Sequence, residues 1–376
     1  MDPKIFFDLN ADLGDLPPFP DLPARKRIIW LASYPKSGNT WMRLFLNAYL
    51  SGKSEADINQ DLMENRQCID PVLSEFLAKK PVTEFSNLDA ARIRVPVQRF
   101  FARSAEKIFV KTHSAVATAH GHPSIDAATT YATILVLRNP LAVLPSFARH
   151  MGTSIDEAIE SMDSAQNMIG SLKDGFPTTL LSSWSKFTRS WIESSRPLNL
   201  IPVKYEDMKE NPVEAFGKVL GHIRLPVDRD QILKAVKATD FKKLKAQDIA
   251  QGFKERTKAD KGAVFFRSGK TEGWRDELTE AQIIATIKNH WDVMEQLNYI
   301  PADLQDEFET IKMDALEALV DQGVNIGIYA EDLNQLRAKR GIKTRLKVKA
   351  GKTQIKPKDV LKNRSKARPT AKKTFG

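Results

Sequence analysis

The stretch from Ile28 to Trp41, IIWLASYPKSGNTW, constrains this chain more than any other. Ile28, Ile29, Trp30, Leu31 and Ala32 form a short run of apolar and β-forming residues, which reads as a buried strand. The run breaks at a loop holding Pro35, Lys36 and Gly38. Thr40 then opens an apolar-periodic segment, Trp41 to Leu50, that reads as a helix. A strand, a tight loop and a helix N-terminus bring backbone N–H groups and the positive end of a helix dipole to one point, where they favour an anion. Lys36 adds a mobile cation and Thr40 a hydroxyl.

A nucleotide-binding P-loop needs G-x-x-x-x-G-K-[ST]. Laid on Gly38-Asn39-Thr40, that pattern would put its first glycine at Ser33 and its lysine at Asn39. The lysine stands instead at Lys36, inside the loop, which argues against ordinary ATP or GTP hydrolysis. YPKSGNTW resembles the 5′-phosphosulfate loop of the sulfotransferases, usually YPKSGTTW, with Asn39 as the one departure. The resemblance implies that Lys36, Ser37, Gly38, Asn39, Thr40 and Trp41 bind the donor 3′-phosphoadenosine 5′-phosphosulfate (PAPS; product PAP), with no metal.

Short apolar runs alternate with longer helical patterns along the rest of the chain. Lys107–Lys111, Tyr131–Leu137 and Leu200–Lys204 read as further strands. Leu141–His150, Leu180–Ser194, Pro212–Leu220, Arg229–Ala238 and Thr279–Leu297 read as helices. That alternation predicts βαβ units and a parallel sheet. The fold class expected is therefore α/β: a P-loop-like central parallel β-sheet flanked by helices, in a single catalytic domain with a basic C-terminal tail. The divisions read from the sequence are an N-terminal arm at 1–24, a catalytic domain at 25–300, additional helices at 301–336 and a tail at 337–376.

The second strand runs into Lys111-Thr112-His113-Ser114. Ligands in open α/β sheets bind beyond the carboxyl ends of strands, so His113 stands where chemistry takes place. A histidine can take a proton near neutral pH, which suits activation of a hydroxyl or amine nucleophile. A lone histidine is more often structural, but KTHS resembles the family's KTH motif, whose histidine is the catalytic base. Lys111, two residues earlier on the strand, is placed to touch sulfuryl oxygens. The third strand ends in Arg138-Asn139-Pro140, with Ser146 eight residues after the arginine. Arginine offers a planar fork for a phosphate, and RNPLAVLPS resembles the family's 3′-phosphate motif, RNPKDVAVS. The family also implies that Ser146 holds Lys36 back until acceptor binds.

Tyr205 in YEDMKENP, and Thr239 and Phe241 in Thr239-Asp240-Phe241, resemble residues that line the family's adenine pocket. An aromatic face with one polar handle is what a purine needs; the same residues alone would pass for ordinary core. FFRSGKTEGWRDELT, from Phe265 to Thr279, resembles the late loop FRKGxxGDWxxxFT. Arg267, Ser268 and Gly269 then stand at the 3′-phosphate. Ser268 replaces a lysine, and Lys270 stands next to it as the substitute cation. The resemblance covers Ile28 to about Thr279, roughly two-thirds of the chain.

Charge and cysteine usage bound the rest. The single cysteine, Cys68, excludes an internal disulfide and fits a reducing compartment. No apolar run reaches the ~20 residues of a membrane span, and the acidic N-terminus lacks a signal peptide's order; a cytoplasmic enzyme is expected. Of the net +10, residues 337–376 hold +15 and the remainder −5. Such a tail, poor in large apolar residues, is expected to be disordered, with contact to polyanions by charge alone or simple solubilisation as its two readings.

The activity expected is transfer of a sulfuryl group from PAPS to a hydroxyl or amine of a small-molecule acceptor, by in-line displacement with His113 as general base. Two alternatives stay open: a P-loop small-molecule kinase, and a non-catalytic nucleotide-binding protein. Asn39 stands against the first and His113 against the second. The segment from Asp57 to Phe101 and the N-terminal arm are expected to shape the acceptor pocket, but nothing in them names an acceptor. Arg275-x-x-x-Thr279-Glu280 departs from the family's dimer segment, so that dimer is not expected and the oligomeric state stays open.

Overall fold

The computed structural model describes residues 24–60, 69–103, 106–256 and 264–342. Most of the N-terminal arm (1–23), Cys68 and most of the basic tail (343–376) lie outside the described residues. The chain divides into two compact units, residues 1–283 and 284–376.

The first unit is built on four parallel strands: β1 (Ile28–Ser33), β2 (Ile108–Thr112), β3 (Thr130–Leu137) and β4 (Leu200–Lys204), in the order β2-β1-β3-β4. The inner strands β1 and β3 are almost wholly buried, and their sequences are near-continuous apolar runs. Burial on both faces leaves no position for an alternating polar residue. The edge strand β2 alternates buried and half-buried positions, as a strand with one covered face does. Helices follow β1, β3 and β4, whereas β2 passes to β3 without one: α1 (Asn39–Ser51) follows β1, α2 (Pro140–Met151) and α3 (Trp184–Glu193) follow β3, and α4 (Tyr205–Glu210), α5 (Pro212–His222), α6 (Arg229–Ala238) and α7 (Phe241–Gln251) follow β4. Shorter helices at Pro71–Ala78, Asn87–Arg92 and Arg94–Phe101 fill the long connection from α1 to β2.

The main core lies between the sheet and α1, α5 and α6. Ile29, Leu31, Phe45, Ile134, Val136, Phe216 and Ile232 are all buried there. Phe45 and Phe216 stack with centroids 3.6 Å apart. Burying such side chains stabilises by roughly 1.5–3 kcal/mol each, so this face fixes α1, and with it the loop before α1, against the sheet.

The helix α8 (Glu280–Gln296) runs across the boundary between the units. The second unit adds α9 (Gln305–Asp321) and α10 (Ala330–Lys339). Met313, Leu316, Leu333 and Leu336 form its small core, with Trp291 and Tyr329 against it. Lys312 donates to Glu295 (2.8 Å) and Asp332 (2.6 Å) inside this unit. The helix α10 continues three residues into the segment read as tail: Arg337 is buried and pairs with Glu317, and Lys339 pairs with Glu309.

Candidate active site

Parallel register carries the loop and His113 to one place. Ala32 of β1 pairs with Thr112 of β2, so Ser33 and His113, each one residue further, emerge side by side at the carboxyl ends of the strands. The His113 ring nitrogen Nδ1 lies 2.6 Å from the Ser33 carbonyl oxygen. A carbonyl only accepts, so Nδ1 carries the proton and Nε2 keeps its lone pair. Burial, and after it the Lys111 ammonium, push the His113 pKa down to about 3. The ring is therefore neutral at physiological pH, with its lone pair on Nε2.

The loop from Ser33 to Gly38 closes onto the first turn of α1. Gly38 caps that helix at φ 106° with no side-chain bond to it, and no acid lies in the first turn. The early N–H groups of α1 have no carbonyl to bond within the helix, and together they form an anion cradle. Lys36 also takes a left-handed backbone (φ 67°), and its ammonium lies 3.7 Å from the centroid of Phe265. Asn39 turns away from the cradle: its Nδ2 donates to the Leu31 carbonyl at 2.9 Å, tying the helix start to the strand. Ser37 is buried, with its hydroxyl lacking a hydrogen-bond partner among the described residues.

Arg138 leaves the end of β3 beside this loop. One guanidinium nitrogen donates to the Lys36 carbonyl and another to the Lys270 carbonyl, each at 3.1 Å. The same guanidinium lies 4.3 Å over the ring of Tyr205, the first residue of α4. The Tyr205 hydroxyl donates to the Gly269 carbonyl at 3.2 Å. Gly269 (φ 62°) must be glycine on two counts, because a Cβ there would sit 2.8 Å from the Phe241 ring. Trp41 meets Tyr205 edge-on at 5.7 Å and donates from its indole to Thr239. Trp41, Tyr205, Thr239 and Phe241 thus make a mostly aromatic slot with polar handles, the right build for a heterocyclic base.

These pieces surround one cavity of about 880 Å³. Every candidate residue named from the sequence lines it except Ser37, which lies just behind the cradle. Ser146 is on its wall, and Ser268 uses its hydroxyl to accept from the Lys270 amide. Arg267 is ion-paired with Glu277, which also accepts from Arg149 at 2.6 Å. Burial would raise the Glu277 carboxyl, but the two arginines hold it below the usual range.

Near His113 the lining is mostly apolar, with Pro145, Met151, Met168, Ile169 and Phe176, and it also holds His150, whose charge would act on His113. A second cavity of about 210 Å³ shares Lys111, His113, Ile169 and Phe176 with the first. From the segment 57–101, Ile69 is the contribution to this second space among the described residues. The end of α2 and a small antiparallel pair, Met168–Ile169 with Thr179–Leu180, also contribute to these walls.

Arg43, Glu255 and Asp248 are among the polar residues at the site that the sequence does not mark. Arg43, one turn into α1, is fully buried and binds both oxygens of Glu255 (2.9 and 3.0 Å). Glu255 lines the cavity and lies 3.5 Å from the Lys111 ammonium. Asp248, buried on α7, accepts from the Phe266 amide at 3.1 Å and pairs with Arg256, which anchors the segment leading to Arg267. No sequence pattern marks them; each is an isolated charge in a charged helix or loop.

The family model described as the sulfotransferase domain matches residues 26–297. Sulfotransferase 1E1 of Bos taurus is 21% identical over 294 residues, covering 73% of this chain and 90% of that protein. Flavonol 3-sulfotransferase of Flaveria bidentis is 23% identical over 269 residues, covering 68% and 78%. Among solved structures, mouse sulfotransferase SULT7A1 complexed with PAP aligns with a TM-score of 0.46 at 17% identity, covering 71% of this chain and 84% of that one. Retinol dehydratase in complex with androsterone and PAP aligns with a TM-score of 0.48, also at 17% identity, covering 73% and 82%.

Proposed function

The chain belongs to the sulfotransferase family, and from that premise we propose that its cavity binds PAPS and passes the sulfuryl group to a hydroxyl or amine presented to His113. The observation that carries this reading is the meeting, in one cavity, of an uncapped helix N-terminus with a base whose tautomer is fixed.

The α1 N–H groups and Lys36 hold the 5′-phosphosulfate, and they face the bridging oxygen on which charge develops as the S–O bond breaks. Lys36 must leave the face of Phe265 to do so. His113 Nε2 takes the proton of the attacking hydroxyl or amine, while Nδ1–H stays on Ser33. Lys111 stabilises the equatorial sulfuryl oxygens. Arg138 and Arg267 hold the 3′-phosphate, and Trp41, Tyr205, Thr239 and Phe241 hold the adenine. Ser146, on the same wall, restrains Lys36. The donor fits the residues present: a cradle with no acid in its first turn, two arginines and an aromatic slot. The mostly apolar wall near His113 suits a small acceptor with an apolar or aromatic body. No described helix is long and apolar enough to cross a membrane. The single cysteine fits action in a reducing compartment such as the cytoplasm.

The kinase alternative loses support at Asn39. The position that would hold a P-loop lysine is turned into the fold and bonded to Leu31.

The test is transfer of labelled sulfate from PAPS to a panel of phenols, alcohols and amines by the protein and its His113→Ala variant. Turnover should fall by at least ~10² in the variant, while PAP affinity by calorimetry changes less than about tenfold, since the ring does not belong to the anion cradle. Near-normal turnover in the variant would remove His113 as the base.

A further inference from the structure

Lys111 and Glu255 meet on the floor of the cavity with Arg43 behind them. Arg43 donates to both carboxylate oxygens of Glu255, and the Lys111 ammonium lies 3.5 Å from one of them. All three side chains are largely buried, at 2%, 13% and 18% exposure for Arg43, Glu255 and Lys111. Burial by itself would push the Glu255 carboxyl up; the Lys111 and Arg43 cations overcome that and hold it below the usual range, so it is ionised. Arg43 is three residues past Thr40 on α1, and Lys111 two residues before His113 on β2. One carboxylate therefore joins the helix of the anion cradle to the strand of the base.

We propose that Glu255 is a positioning residue for sulfuryl transfer: it pins the Lys111 ammonium beside His113 by anchoring it to the buried Arg43. The proposal rests on the roles given above to Lys111 and His113. A lysine stem has four rotatable carbons and much rotamer freedom to lose. A cation that is already fixed where charge develops needs no reorganisation during the reaction. Glu255 also offsets part of the positive field that Lys111 exerts on His113, a field that opposes protonation of the base. Without the carboxylate, Lys111 loses this anchor and His113 loses the charge that offsets the Lys111 field. Arg43, shut behind the cradle, anchors Glu255 from a place no substrate reaches.

The decisive experiment is a double-mutant cycle of Glu255→Gln and Lys111→Ala. Turnover is read with the best acceptor of the panel above, and PAP affinity by calorimetry. Glu255→Gln should lower kcat about 10–100-fold, as losing a partner that orients a reacting group does, with the PAP Kd changed less than threefold and Glu255→Asp keeping most of the turnover. In the Lys111→Ala background the same substitution should change kcat less than twofold, because its effect runs through Lys111. An equal loss in both backgrounds would overturn the proposal, and so would a wild-type kcat in Glu255→Gln beside a poor Lys111→Ala. A wild-type kcat in Lys111→Ala would instead refute the role of Lys111 itself. Should Glu255→Gln fail to fold around an unpaired Arg43, the Arg43→Met, Glu255→Met pair removes both charges and must show the same kcat loss; full turnover there overturns the proposal.

Discussion

Replacing Gly38 with alanine should damage both the fold and the donor site. The backbone at Gly38 has φ 106°, a conformation that costs a residue with a side chain on the order of 1–3 kcal/mol. The added Cβ would also lie 2.6 Å from Tyr205 Cδ2 and 3.3 Å from Cε2. An ordinary contact begins near 3.4 Å, so the ring must retreat by about 0.8 Å, and overpacking of this kind costs typically 1–3 kcal/mol more. Tyr205 has nowhere easy to go. Its face carries Arg138, its hydroxyl is bonded to Gly269, and Trp41 meets it edge-on. The combined cost is roughly 2–6 kcal/mol, which for a unit of this size lowers the melting midpoint by roughly 5–15 °C. The N–H cradle shifts with the loop, so PAP affinity should fall at least ~10-fold. Differential scanning calorimetry and titration calorimetry with PAP measure the two effects. The control is Gly217→Ala inside α5, where φ is not positive and the nearest atom would be 3.5 Å from the new Cβ. That change should be neutral or stabilising by about 0.5–1 kcal/mol. A Gly38→Ala protein within 1 kcal/mol of wild type that binds PAP normally would refute the reasoning.

Arg138→Ala should weaken PAP by roughly 1.5–3 kcal/mol and weaken adenosine 5′-monophosphate, which lacks the 3′-phosphate, much less; equal losses for the two would show that Arg138 does not read that phosphate. The buried His113 is neutral in the folded protein, with a pKa near 3 against 6.5 for the ordinary group. Its contribution to stability is therefore complete above pH 6.5 and is lost as the pH falls toward 3, because only the unfolded chain binds the proton in that window. The slope is about 1.4 kcal/mol per pH unit for the one group. Urea midpoints at pH 7.5, 6 and 5 should decline accordingly, and decline less steeply in His113→Asn. An identical pH dependence in the two proteins would contradict a buried neutral ring.

The strands were legible because composition alone determines them. IIWLAS and YATILVL have no polar position to offer solvent, so they lie inside a parallel sheet, and the motifs at their ends then fall at its carboxyl edge. The cavity's outline followed from the same fact. Long-range pairing was not legible. Arg43 on a helix looks like a solvent-facing charge until Glu255, 212 residues away, is folded against it. Glu255 itself sits in a run of alternating charges. Arg337 counts as part of a basic tail by charge, yet it lies buried against Glu317 on the neighbouring helix. The wall near His113 also draws on two-residue strands at 168–169 and 179–180, and pairs that short leave no periodic trace.

Arg138 binds the Lys36 carbonyl across 102 residues of chain and the Lys270 carbonyl across 132. Closing loops of that length is entropically costly and comes late in folding. A chain emerging from the ribosome can complete β1, α1 and their local contacts long before residue 270 exists to receive the guanidinium. The pair of carbonyls that fixes the Arg138 guanidinium is thus complete only once residue 270 of 376 has been made. A nascent chain still short of residue 270 holds the loop and Arg138 without the Lys270 carbonyl that orients the guanidinium beside it.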